Sequence, residues 1–323
     1  MKAIVAPLLL ALGAVGLGGG VFYTARHGAA AHLGGMDATE VSRGPFPKAI
    51  TNGSRSEVLS KPPLRIASLT VTSDEILTRL VVPERLAAVS RFASDPAIST
   101  CAERVPKDAV RIRGVDPERI IALEPDLVFV ARYTQESALR ILGSATIPVV
   151  RLRAVHAFED VAANVRLVAA AVGEETRGEA LLLEMAQRLR RVQTLVAGKP
   201  PPRVLYASTG GYTTGAHTLV DEKIRRAGGL NAAAMAGLVG DVTVSLDLLL
   251  SLDPDVIIVP QWSSDAEASV REITESPAWR TSRVVREGGV RALPAGVLTS
   301  ESEDAVLGVE ALARVLHPEA FSS

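Results

Sequence analysis

The sequence predicts an α/β protein of two similar lobes, each with a central, mostly parallel sheet, joined by one long helix with a ligand cleft between the lobes. Three observations carry this. Short apolar runs of strand length alternate with stretches of helical periodicity, the pattern of parallel sheets covered by helices. The chain also repeats itself: "RIIALEPDLVFVARY" (Arg119–Tyr133) and "LLLSLDPDVIIVPQW" (Leu248–Trp262) align without a gap, Leu123 over Leu252, Pro125-Asp126 over Pro254-Asp255 and Tyr133 over Trp262. Between the copies lies one long helical stretch, Glu174 to Ala197, with Leu182, Met185, Leu189, Val192 and Val196 on one face. About 24 residues at 1.5 Å each give a rod of roughly 36 Å, long enough to run along two lobes.

In chain order, a hairpin around Asn52-Gly53 feeds the strand "LRIASL". A helix follows in "TVTSDEILTRL", where Thr72 and Glu75 have capping-box spacing. The strand "LAAVS" leads to a polar loop, and "DPERIIAL", "DLVFVA", "ESALRILGSA" and "IPVVRL" then alternate helix and strand. "FEDVAANVRLVAAAVG" is helical and stops at Gly173; the long helix ends at Gly198 and Pro200-Pro201-Pro202. The second lobe restarts with the strand "RVLYAST", the loop "GGYTTGAHT" and the helix "LVDEKIRRAGG". The repeat unit, the helical "EASVREITES" and "PAWRTSRVVREGG", the strand "VRALPAG" and a terminal helix follow. Expected units are therefore 1–31, an apolar targeting segment; 32–45, a flexible tether; 46–155, the first lobe; 156–198, the connecting helices; and 199–323, the second lobe.

Composition narrows the function. Basic and acidic residues, 35 and 36, are interspersed with no basic block, which argues against nucleic acid as a partner. The run Ala3–Tyr23 behind Lys2 marks export. Ala29 and Ala31 suit a signal peptidase cutting before His32, while roughly 30 Å of helix is also enough for a retained membrane anchor; both stay open. The one cysteine, Cys101, excludes an internal disulfide and reads as a small loop residue. There is no Gly-x-Ser-x-Gly elbow, no His-Glu-x-x-His and no P-loop, so an enzyme is not expected.

Ligands of open α/β sheets sit beyond the carboxyl ends of the strands. Tyr133 and Trp262 follow such strands at equivalent places, so facing lobes would bring both to one cleft. Thr70, Thr72, Arg91, Phe92 and Arg132 occupy neighbouring first-lobe loops. In the second lobe, Gly211 lets the backbone approach a ligand closely, and Tyr212 and Gln261 add polar contacts. Asp116-Pro117-Glu118 and Ser245-Leu246-Asp247 both open a helix, with Asp116 and Ser245 as N-caps. Glu118 and Asp247 thus hold one position, in both lobes.

These features together resemble the helical-backbone periplasmic substrate-binding proteins that deliver cobalamin, haem or ferric siderophores to ABC importers. The likeness covers Phe46 to Glu319, through "FPKAITNGSRSEV…KPPLRIASLTVTSDEIL", both Leu-x-Pro-Asp units, "RVLYASTGGYTTGAHTLVDEKIRRAGGLNAAA" and "PAWRTSRVVREGGVRALPAG…LARVLHPE". It implies an extracytoplasmic location, a small-molecule metal chelate as ligand, and a permease dimer as partner, docked through Glu118 and Asp247. Cobalamin or a ferric siderophore is the expected ligand, the aromatics suiting the first and Arg91 and Arg132 the oxygens of the second. Haem-binding relatives often carry a tyrosine between Ser90 and Arg113, where this chain has Phe92 and no tyrosine; Tyr133, Tyr212 and His217 leave a haem mode open. A sensing protein of the same fold without a transporter is the other alternative. No resident cofactor or metal is expected, since His32, His156, His217 and His317 are scattered.

Overall fold

A computed structural model of the chain describes residues 39–52, 55–263 and 265–321. The apolar segment 1–31, the first half of the 32–45 tether and Gly53 of the expected turn lie outside the described residues. Part of the tether is strand: β1 (Glu40–Val41) pairs antiparallel with β2 (Lys48–Asn52), which pairs with β3 (Arg55–Leu59). The first lobe follows as β4 (Ile66–Ser68), α1 (Val71–Leu80), β5 (Leu86–Ser90), β6 (Val110–Ile112), α2 (Pro117–Ile121), β7 (Leu127–Val130), α3 (Glu136–Ser144) and β8 (Val149–Arg151). Its sheet has the order β6-β5-β4-β7-β8, parallel throughout. Every side chain of β7 is buried, as a central strand covered on both faces requires.

The connection is α4 (Phe158–Val172), turned at Gly173 in the left-handed region, and α5 (Glu175–Val196). The second lobe contains β9 (Arg203–Tyr206), β10 (Tyr212–Thr214), α6 (Leu219–Arg226), β11 (Leu230–Asn231), α7 (Ala232–Met235), β12 (Asp241–Thr243), α8 (Leu246–Ser251) and β13 (Val256–Gln261). It closes with α9 (Ala266–Thr274), α10 (Arg283–Arg286), β14 (Val290–Pro294), α11 (Ala295–Thr299) and α12 (Ala305–Leu316). Its parallel sheet has the order β11-β9-β13-β14. The expected loop "GGYTTGAHT" is partly strand, because β10 pairs antiparallel with β12, a partner too distant in sequence for local pattern to reveal.

The stripe Leu182, Met185, Leu189, Val192 and Val196 of α5 is buried. It belongs to one apolar cluster running from Ile66 and Phe129 in the first lobe, through α4 and α5, to Val204, Ile258 and Val309 in the second. α4 and α5 pack closely: a Cβ at Gly178 would stand 2.5 Å from that of Ala169. Lys48, fully buried, donates to the Ala170 carbonyl at 2.7 Å and ion-pairs with Glu175, pinning the α4–α5 corner to the hairpin.

The repeat has a structural purpose. Asp126 accepts the backbone N–H groups of Leu64 (2.6 Å) and Arg65 (2.9 Å), and the Arg65 guanidinium donates back to the Leu123 carbonyl (2.7 Å). In the second lobe Asp255 accepts from the Arg203 N–H (2.8 Å), and the Arg203 guanidinium donates to the Leu252 carbonyl (2.6 Å). Between leucine and proline, Glu124 and Asp253 both take positive φ, 48° and 40°. Each Leu-x-Pro-Asp thus ends a helix and ties the next strand to its neighbour. Losing a charged acceptor of backbone donors costs about 1–3 kcal/mol. Asp126→Ala and Asp255→Ala should each lower the unfolding free energy by that amount, read from urea midpoints at unchanged m-value.

Candidate functional site

The two lobes meet along a polar seam. Glu75 of α1 points across it rather than back along its own helix. Its carboxylate accepts from the Ser300 and Ser302 hydroxyls, both at 2.7 Å, and from the Thr100 N–H at 2.9 Å. The capping box expected from Thr72 and Glu75 is therefore not formed. Thr70 caps α1 instead, accepting from the Ser73 N–H at 3.0 Å. Tertiary partners for Glu75 outweigh a local bond worth about 1 kcal/mol.

Beside Glu75, Asp304 accepts from Arg79 (3.3 Å), Arg104 (3.1 Å) and the Thr100 hydroxyl (2.8 Å). Arg79 also reaches Glu184 on α5 at 2.7 Å and lies 3.7 Å from Glu303. The backbone joins in: Gly296 donates to the Ala97 carbonyl at 2.9 Å, and a Cβ there would stand 2.7 Å from the Ile98 carbonyl carbon. The segment 295–304, α11 and the turn after it, is held from behind by Lys223, fully buried on α6, which donates to the carbonyls of Leu298 (2.7 Å) and Ser300 (2.8 Å).

Asp74, Glu75, Glu303 and Asp304 are buried, whereas Glu301 is exposed. Thr72 donates to Glu301 at 3.4 Å across the seam. The Tyr133 phenol is raised by partial burial and then by the Glu301 charge. Although solvent reaches Glu301, protein crowds it closely, and that loss of hydration comes first in pushing it up to about 7, with Lys223 and Thr72 opposing and Glu75 and Asp241 adding to the rise. Asp241 of β12 bonds the Tyr212 hydroxyl, and the Tyr212 ring meets that of Tyr206 edge-on at 6.3 Å. The structure therefore brings Thr72, Tyr133 and Tyr212 around two carboxylates, Glu301 and Asp241, that the sequence reading missed. The signal lay in the dense acidic-serine run "SESED" after the last strand.

Tyr133 is 66% exposed and Trp262 46%, so neither ring is spent capping its strand. The other predicted residues have mixed fates. Arg91 lays its guanidinium over Phe92, 4.3 Å from the ring centroid, with its Nε buried and unpartnered. Arg132 is exposed beside Tyr133. Gln261 turns its amide back to the Ser263 carbonyl at 2.8 Å. At Gly211 φ is +79°, and a Cβ there would lie 2.2 Å from the Val244 carbonyl oxygen, so the close approach of the protein's own backbone already requires a glycine at this half-buried position. Glu118 and Asp247 stand exposed in the first turns of α2 and α8, behind the caps Asp116 and Ser245, and neither makes an ion pair among the described residues.

His156 and His217 are exposed, and His317 is buried with Nε2 at 3.2 Å from the Gly228 carbonyl. Among the described residues no group of three or more histidine, cysteine or acidic side chains could hold a metal. Cys101 is buried beside Ser99, its thiol pushed up to about 12 by burial, out of a ligand's reach. Trp279 is core. Concave pockets lie elsewhere, one of about 480 Å³ between His156–Glu159 and Ala216–Arg225 and one of about 380 Å³ near Gln193. Their charged walls are already matched, Asp221 with Arg225 and Glu222 with Arg226.

The periplasmic binding protein family matches residues 66–297, and the chain belongs to that family. It is 23% identical over 291 residues to an uncharacterized ABC transporter substrate-binding lipoprotein, YvrC of Bacillus subtilis, covering 85% of this chain and 87% of that one. It is 25% identical over 278 residues to a cobalamin-binding protein of Halobacterium salinarum, covering 84% and 74%. Among solved structures, the periplasmic heme-binding protein RhuT of Roseiflexus sp. RS-1 matches with a TM-score of 0.70 at 25% identity, over 79% of this chain and 98% of that one. Membership makes this an extracytoplasmic ligand-binding protein of the ABC-transporter kind rather than an enzyme. Among the described residues no helix is long and apolar enough to cross a membrane.

The seam gives a pH dependence of defined sign. Burial raises Asp74 to about 8, and burial with the Asp304 charge raises Glu303 to about 8. Both pKa values lie above those of the unfolded chain, so their stabilising contribution is complete at acid pH and is lost as pH rises through about 8. Lys223, lowered to about 7 by burial, works in the opposite sense. Asp74→Asn keeps an acceptor for the Ser90 N–H and removes one titration. Between pH 5 and 8, its plot of unfolding free energy against pH should be less negative than wild type by about 1 kcal/mol per pH unit.

Proposed function

We propose that this protein captures a cobalamin or an iron chelate between its lobes and delivers it to an ABC importer. The observation that carries this reading is the pair Tyr133 and Trp262: two large, exposed aromatics in register, one following a central strand of each lobe. Their rings suit the flat apolar face of a macrocycle, each pair of stacked rings being worth about 0.5–1.5 kcal/mol beyond area burial. The cobalamin-binding relative supports the first ligand, and the haem-binding neighbour supports a flat metal macrocycle in general. The lobes, read as 46–155 and 199–323 with 156–198 between, share a continuous core along α5, which favours small adjustments over wide closure. Glu118 and Asp247 are the proposed docking carboxylates for the two permease subunits.

Native mass spectrometry of residues 32–323 with cyanocobalamin, cobinamide, haem and ferric siderophores tests the ligand. A one-to-one adduct is expected, lost on Tyr133→Ala with Trp262→Ala; no adduct across the panel would sink the reading. In cells relying on the cognate importer, Glu118→Ala with Asp247→Ala should abolish uptake while ligand affinity stays within about twofold, since rim charges away from the cleft act on docking.

A further inference from the structure

Five carboxylates line the seam, and four of them are buried. Glu75 is held by two hydroxyls and a backbone N–H, Asp304 by two arginines and Thr100, and Asp74 by the Ser90 N–H, while Glu303 has neither oxygen hydrogen-bonded and stands 3.7 Å from Arg79. Glu301 differs. Solvent reaches it, it makes no ion pair among the described residues, and the hydrogen bond it accepts from Thr72 is long, at 3.4 Å. The cation nearest in effect, Lys223, is buried beneath it with its ammonium engaged by the Leu298 and Ser300 carbonyls. Those bonds fix the loop that presents Glu301 toward Tyr133, with Asp241 and the Tyr212 hydroxyl close by. An ionised carboxylate only accepts hydrogen bonds.

We propose that Glu301 is a specificity residue of the cleft: it selects chelates whose periphery carries hydrogen-bond donors, such as amides or ammonium groups, over chelates and oxoanions edged only by acidic oxygens. This rests on the cleft being the ligand site. A donor-bearing edge satisfies Glu301 through a charge-assisted bond. An acceptor-only anion sets like charge against it and leaves the carboxylate unpaired, a loss large enough to dominate selection between ligands of similar size. Arg91 and Arg132 belong to the first lobe and leave this second-lobe preference in place.

The test is equilibrium binding of dicyanocobinamide (amide-edged), a ferric tricatecholate (trianionic) and molybdate to wild type, Glu301→Ala, Glu301→Gln and Glu301→Asp. Wild type should favour cobinamide. Loss of one charge-assisted bond in Glu301→Ala should cost about tenfold in cobinamide affinity, Glu301→Asp should recover part of it, and the tricatecholate should gain in both neutral variants. Wild-type affinity for cobinamide should fall as pH drops below about 7, where Glu301 takes up a proton among Lys223, Glu75, Asp241, Tyr133 and Thr72, and should be flat in Glu301→Gln. A purely structural role would not produce that profile. Preference of wild type for the tricatecholate or molybdate overturns the inference. So does cobinamide binding that is lost in Tyr133→Ala with Trp262→Ala yet unmoved in Glu301→Ala, an outcome that leaves the cleft reading standing. Binding of no panel member by wild type removes both.

Discussion

The arrangement of the cleft depends on one buried contact, the Glu75 carboxylate of the first lobe gripped by the Ser300 and Ser302 hydroxyls of the second. A carboxylate at zero exposure is tolerable only with its lone pairs satisfied, and here three donors converge on it. That requirement fixes the segment 295–304 against α1 and the 95–104 loop, and Gly296 permits the approach. Lys223 holds the same loop from the second lobe. With α5 along the core and this seam tied to it through Arg79 and Glu184, the lobes are joined by both an apolar and a polar contact. Thr72 and Tyr133 therefore face Glu301 in a defined geometry rather than across a freely swinging gap.

The duplicated Leu-x-Pro-Asp serves a different end. In both lobes its aspartate ties down the N–H groups at the head of a neighbouring strand, and an arginine from that strand closes the loop on the leucine carbonyl. Because the strand after each unit starts from a fixed point, the aromatic that ends it, Tyr133 or Trp262, reaches a fixed place at the carboxyl edge. A motif at the start of each strand thereby sets where the exposed aromatic beyond its end stands. Burial pushes Asp255 up, yet its bonds to the Arg203 N–H and to Arg283 hold it below the usual carboxylate range, as a charged tie should be.

Residues whose role is local were legible. Asp116 and Ser245 cap the helices they precede, Gly173 turns α4, and the apolar stripe of α5 is buried as its spacing requires. Residues whose role is set by a distant partner were not. Thr72 and Glu75 have a capping-box spacing, but Glu75 finds better partners some 225 positions away. Gly211 has a structural reason that local pattern does not show, the Val244 carbonyl lying where a Cβ would stand. Asp241 carries no motif, and the acidic run around Glu301 does not say which of its carboxylates stays open to solvent.

By itself the sequence determined the alternation of strand and helix, the two-lobed repeat, the rod between the lobes and the register of the paired aromatics, because each follows from periodicities and capping chemistry a few residues long. The tertiary structure alone decided which carboxylates are buried and which one faces the cleft. Desolvation and the pairing of charges depend on what surrounds a group in space, and for Glu301 those surroundings come from α1, α6, β12 and the loop after β7, none adjacent to it in the chain.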